Sequence, residues 1–155
     1  MPTIPINPTT ITAAIIARLA TIKRANGYQN DVQAIFEVPM VQDQIPEGSL
    51  PALVVLEGEE TWSWDDASVY AARLPYVIGG MVNEPGADIM SPDRVQRIRS
   101  LERDVRVALL QDPWFAGTCK NSILGKTARF PDADRGFAMF ETDMVVLYHF
   151  HKGSL

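Results

Sequence analysis

The stretch Val69-Tyr70-Ala71-Ala72-Arg73-Leu74-Pro75-Tyr76-Val77-Ile78-Gly79-Gly80-Met81-Val82-Asn83 decides the fold. Its even positions, Tyr70, Ala72, Leu74, Tyr76, Ile78 and Val82, make one apolar face, and a period of two sustained over that length is a β-strand. Pro75 has no N–H to give a ladder and Gly79-Gly80 is a flexible pair, so this strand is expected at an edge or bulged. Working back from it, Gly58 to Ser68 reads as a hairpin tip. The partner arm, Ala52 to Leu56, is apolar throughout and β-branched at Val54 and Val55, which suits a strand buried on both faces. Before it, Val32, Ala34, Phe36 and Val38 alternate with more polar neighbours as a half-buried strand that Pro39 closes. Met40 to Leu50, with Asp43, Pro46, Glu47 and Gly48, has no period and reads as a loop.

Two helices and a second hairpin complete the order. Pro2, Pro5 and Pro8 bias their predecessors away from helix, so residues 1–8 are expected as an extended arm. Asn7-Pro8 is an N-cap and first helical position. Ile11, Ile15, Leu19 and Ile22 then recur at helical spacing until Asn26-Gly27. Ser91-Pro92-Asp93 opens helix two, with Val95, Ile98, Leu101, Val105, Ala108 and Leu109 as its buried stripe. Asn121 to Phe130 and Phe137 to His151 read as a closing hairpin around Pro131-Asp132-Ala133-Asp134-Arg135-Gly136. The expected fold is α+β: a single domain over residues 1–155, with a mixed or antiparallel sheet of about five strands and two helices packed on one face.

Bulk properties narrow the function. A chain of 155 residues buries roughly 70% of its unfolded surface, and 46% hydrophobic with 21% charged residues is ordinary for a folded domain. A formal charge of -5 argues against a protein whose main work is gripping nucleic acid. The single cysteine, Cys119, cannot make an intramolecular disulfide, which fits assembly in a reducing compartment such as a bacterial cytoplasm; its plain reading is a small buried hydrophobe. No stretch has the ~18 apolar residues of a membrane span, and the start lacks the pattern of a secretory signal.

No catalytic or cofactor constellation is recognisable. His149 and His151 share a strand face, yet the last strand supplies no third ligand, so neither is assigned to a metal. Gly125-Lys126-Thr127 has Lys120 where a phosphate-binding loop needs glycine. Asp132, Asp134 and Gly136 miss the spacing of a calcium loop. The expectation is therefore a non-enzymatic protein without cofactor or metal. Contact residues stand out instead: Trp62 and Trp64 lie on one face of the hairpin tip, away from the expected core, and large aromatics concentrate binding energy at interfaces. Helix two carries Arg94, Arg97, Arg99, Arg103 and Arg106 interleaved with Asp93, Glu102 and Asp104. Mixed signs of this kind are usual on a solvated or partner-facing side. Trp62, Trp64, Arg97 and Arg103 are the candidate interface residues.

Several runs carry a resemblance. Ala17-Arg18-Leu19, Ile22, Ala25-Asn26-Gly27-Tyr28 and Asp31-Val32, then Leu50-Pro51-Ala52-Leu53-Val54-Val55 and Gly58-Glu59-Glu60, resemble tail terminator (tail completion, or tail-to-head joining) proteins of long-tailed bacteriophages. The arginine-bearing helix and the final run Val145-Val146-Leu147-Tyr148 are similar to that family's later elements. Asn30-Asp31-Val32-Gln33 departs from the Thr-Asp-Val-Gly common there. The resemblance implies a virion structural protein at the head-proximal end of the tail, forming a homo-oligomeric ring, commonly a hexamer. Its implied partners are the tail tube protein and the head-tail connector or neck protein, with genomic DNA passing through the ring unread. The alternatives are a neck or head-completion protein on the portal side, and a small α+β nucleic-acid-binding module.

Overall fold

Asn7 and Thr10 start the first helix by capping each other. The Asn7 side chain accepts from Thr10 N at 2.9 Å and Thr10 Oγ1 accepts from Asn7 N at 3.1 Å. Helix α1, Pro8–Leu19, presents Ile11, Ile15 and Leu19 to the core. It ends one turn earlier than the apolar spacing suggests. Thr21 bonds back to the Arg18 carbonyl through both its N–H and its hydroxyl, at 3.1 and 2.6 Å. Ile22 remains buried beyond that end. A 3-10 turn, Arg24–Asn26, closes on Gly27, whose φ of 89° belongs to the left-handed region that glycine adopts freely. The computed structural model describes residues 6–39, 45–46, 48–83, 92–132 and 137–151, so most of the proline-bearing arm, much of the Met40 to Leu50 loop, Ser91 and the centre of the closing turn lie outside the described residues.

The remaining elements are β1 (Ala34–Phe36), β2 (Ala52–Glu57), β3 (Thr61–Trp64), β4 (Val69–Asn83), α2 (Pro92–Leu110), β5 (Asn121–Asp132) and β6 (Phe137–His151). They build a single α+β domain with a mixed sheet of six strands in the order β1-β2-β4-β6-β5, β3 pairing with β4 beyond the end of β2. Among the described residues, only β1 and β2 run parallel. β1 is shorter than its sequence pattern: Val32 is buried ahead of it and Val38 is exposed after it.

The decisive strand β4 is central, which corrects the expectation of an edge. β6 pairs along its whole length, and β2 followed by β3 pairs along the other side. The irregularity that Pro75 signals falls in its partner. Pairing passes from Glu57↔Tyr76 to Thr61↔Arg73, so three residues, 58 to 60, face Leu74 and Pro75. The missing proline donor thus meets a gap between two strands, while Gly58 N donates to the Pro75 carbonyl at 2.8 Å. A Cβ at Gly58 would lie 2.9 Å from Pro75 Cγ, so glycine is needed for that approach.

The core forms where the two helices meet the even-numbered face of β4 and β6. Leu74, Tyr76, Ile78, Phe140, Met144 and Val146 are buried with Ile11, Ile15, Leu101, Val105 and Leu109 in one cluster. Gly80 leaves room for the Phe140 ring paired with it, since a Cβ there would overlap that ring. Cys119 is buried in the same cluster. Among the described residues, no helix is long and apolar enough to cross a membrane.

Candidate functional site

The expected hairpin tip of residues 58–68 contains a short strand of its own. Thr61–Trp64 pairs with Tyr70–Arg73, and the turn itself is Asp65–Ser68. Asp66 organises that turn: its carboxylate accepts from Ser68 N at 2.7 Å, Ser68 Oγ at 3.1 Å and Val69 N at 3.2 Å. Those donors favour the charged form, so the carboxyl is held below its ordinary range, with the Ser68 N–H the largest cause.

Trp62 and Trp64 occupy alternate positions of β3 and therefore one face, the same face that carries the core further along β4. At this end of the sheet they remain 58% and 62% exposed. They are nevertheless fixed. Trp64 lies 4.5 Å from Tyr70 between ring centroids, and Trp62 meets Phe150 edge-on at 5.5 Å. Tyr70 and Phe150 stack at 5.3 Å with 12° between planes, and Trp62 Nε1 donates to the Glu60 carboxylate. Indoles held this way offer apolar area with little rotamer entropy left to lose on binding. Sequence reading found the two tryptophans but missed Tyr70 and Phe150 as their support, because the pairing of β4 with β6 brings together residues eighty positions apart.

A polar cluster secures the base of this hairpin. Thr12 Oγ1 donates to Glu57 Oε2 at 2.9 Å and lies 2.7 Å from the Tyr76 hydroxyl. Burial raises the Tyr76 phenol well above its ordinary value, and burial followed by the Glu60 hydrogen bond does the same for Tyr148. His149 Nε2 stands 3.3 Å from Asp65 Oδ2, tying β6 to the turn. Among the described residues, no group of three or more His, Cys, Asp and Glu could share a metal ion.

The two candidate arginines separate. Arg97 lines a polar hollow with Arg24, Gln29, Asn30, Asp31 and Ser100, on the flank of α2. Arg103 lies on the outward face, near one helical repeat from Arg99 and Val107. The mixed-sign reading of this helix is corrected by burial. Glu102 and Asp104 are 3% and 4% exposed, whereas Arg97, Arg99, Arg103 and Arg106 are exposed. Glu102 points inward to a bidentate pair with Arg129 at 2.6 and 2.9 Å and also holds Arg106 at 3.0 Å. Asp104 accepts from Gln29 N at 3.0 Å, Asn30 N at 2.9 Å and Asn30 Nδ2 at 2.8 Å, pinning the loop before β1. From residue 95 to residue 110 the exposed surface of α2 is consequently of one sign, and Val107 and Leu110 add apolar area to it.

The geometry thus defines two outward surfaces on one α+β domain: an aromatic, acidic hairpin end and a basic, partly apolar helix face. No protein-family model matches the chain, and no curated protein matches it.

Proposed function

We propose that this chain is a structural protein of a bacteriophage virion, a tail terminator that caps the tail tube as a ring, stops its polymerisation and forms the joint to the head connector. The observation that carries the reading is the hairpin end, where two rigidly held indoles stay more than half exposed on a well-packed domain. Large aromatic patches left outside a core mark contact sites with other proteins. The motif runs quoted above add support, since they lie on the end of α1, the 3-10 turn, β2 and the approach to β3.

A tail tube is a stack of rings, each exposing a surface that recruits the next, so a protein must bind the final surface without regenerating it. A protein that ends such a tube matches its symmetry through heterologous contacts that close, and six copies is the expected number. In this reading the ring sits at the head-proximal end of the tail, is assembled in the bacterial cytoplasm, and needs no cofactor. The acidic balance of the chain suits a channel through which DNA slides without sticking.

The test is loss and restoration. Infected cells lacking the protein accumulate tails of excessive or irregular length that do not join heads, and purified protein restores joining to tails of correct length. Tails that end normally and attach to heads in its absence would remove the terminator reading and favour the neck-protein reading on the portal side.

A further inference from the structure

The hairpin from Glu57 to Asp66 contains five carboxylates, Glu57, Glu59, Glu60, Asp65 and Asp66, and no Lys or Arg. The outward surface of α2 is its opposite: Arg99 and Arg103 with no exposed acid among them, beside Val107 and Leu110. The two cannot meet within one chain. α2 buries Ile98, Leu101, Val105 and Leu109 in the core and turns this surface away from the sheet, whereas β3 is locked to β4 in register with both indoles more than half exposed. Complementary surfaces that a rigid fold keeps apart in one copy can be satisfied between copies, and a contact of one patch with a different patch is the head-to-tail type that closes rings.

We infer that the acidic tryptophan hairpin of one copy docks on the arginine face of α2 in the next copy. This rests on the ring reading above and names the surfaces that would form it. Trp62 and Trp64 supply flat aromatic faces that Arg guanidinium groups stack on, Glu59 and the Glu60 carboxylate beside Trp62 supply acids for the same arginines, and Asp65, turned to His149 on the opposite face, adds to the negative field of the hairpin. Val107 and Leu110 give the indoles an apolar floor. Each copy offers one of each surface, so every contact made leaves one hairpin and one helix face for the next, until the ring closes.

Charge exchange tests the contact. One variant carries Arg99→Glu with Arg103→Glu, a second carries Glu59→Lys with Asp65→Lys, and a third carries all four changes. Self-association is followed by sedimentation up to about 1 mM, where weak specific contacts are still populated. Either two-residue variant alone should associate at least about tenfold more weakly than the unaltered chain, because like charges then face each other. An equimolar mixture of the two, and the four-residue variant alone, should recover association. A chain that stays monomeric at the highest concentration overturns the inference, as does association unchanged in the two-residue variants or unrecovered in the exchanged ones. If the arginine variant associates normally but loses affinity for double-stranded DNA, the helix face serves nucleic acid and the contact is wrong. Failure of the terminator reading is separate: tails that end normally without the protein remove that function whatever sedimentation shows. Conversely, charge-reversed variants that cap tails like the unaltered chain remove this contact and leave the function standing.

Discussion

Arg129 on β5 grips Glu102 on α2 with two parallel hydrogen bonds, Nε to Oε2 at 2.6 Å and Nη2 to Oε1 at 2.9 Å. This fork is what turns the helix's acid inward. It also clamps the edge strand to the helix layer, and the carboxylate beside it holds the Arg129 guanidinium above its already high ordinary pKa. Arg106 reaches the same carboxylate from one helical turn away and bonds Thr127 Oγ1 at 3.0 Å, so β5 is tied to α2 twice.

Arg129→Ala should destabilise the fold by about 2 kcal/mol, since it leaves a buried carboxylate without its bidentate partner. Arg106→Ala should cost only about 0.5 kcal/mol, the scale of a helix-surface ion pair. Arg129→Lys should fall between them, keeping the charge and losing the fork. Urea unfolding of the three variants checks the order. Equal losses from Arg129→Ala and Arg106→Ala would show that the fork has no special weight.

How much of this was legible in the sequence depends on the range of the interaction. The faces of β4 and β6 and the buried stripe of α2 follow from local period alone, and they reappear in the core except for Val95 and Tyr70, which are only half-buried. Pro75 was misleading because a proline is read against its own strand, while the relief comes from the three residues 58 to 60 in the partner. Gly80 likewise looked like flexibility, yet its lack of a side chain makes room for Phe140 sixty residues on. For α2 the failure has one cause. Local spacing shows acids and arginines alternating, but which of them turn inward is set by Arg129 and by the Gln29-Asn30 loop, and neither is visible from the helix itself. The tryptophan pair was found because two indoles on alternate residues share a face whatever the register. Arg97 and Arg103 are alike in composition, yet the helix places Arg97 at the polar hollow and Arg103 on the outward face.

Cys119 gives a prediction in pH. Burial, with Asp112 adding to it, pushes its thiol up from 9.0 to about 11, and its Sγ donates to the Pro113 carbonyl at 3.4 Å. The folded chain therefore holds the proton over a range in which the unfolded chain has lost it. The stability this contributes is fully present below pH 9.0 and is lost as pH rises towards about 11. Buried Tyr76 and Tyr148, both raised, act in the same direction at higher pH. At pH 8 the folded thiol should have about a hundredfold less thiolate than an ordinary cysteine and react correspondingly slowly with a disulfide reagent. Cys119→Ala should show a shallower loss of stability from pH 9.0 upward. Rapid labelling of the native chain at pH 8 would place this sulfur at the surface.

The indoles allow the fold and the assembly to be separated. Trp62 and Trp64 rest on the stacked Tyr70 and Phe150, and that stack needs neither indole to persist, because β4 and β6 hold it by their own pairing. Replacing both tryptophans by alanine removes edge and tilted contacts worth about 1 kcal/mol each, which a domain of this size tolerates. Truncating a buried interface anchor typically costs about 2 kcal/mol or more. Trp62→Ala with Trp64→Ala should therefore leave a folded monomer, with a cooperative unfolding transition near that of the unaltered chain, and should abolish capping of tails. Tyr70→Ala should do the reverse damage first, lowering stability by opening the platform beneath them. Circular dichroism with thermal unfolding reads the first property, and tail length in the electron microscope reads the second. A double variant that unfolds as a monomer would assign the indoles to the core. One that folds and still caps tails would leave the hairpin end without the contact role on which the functional reading depends.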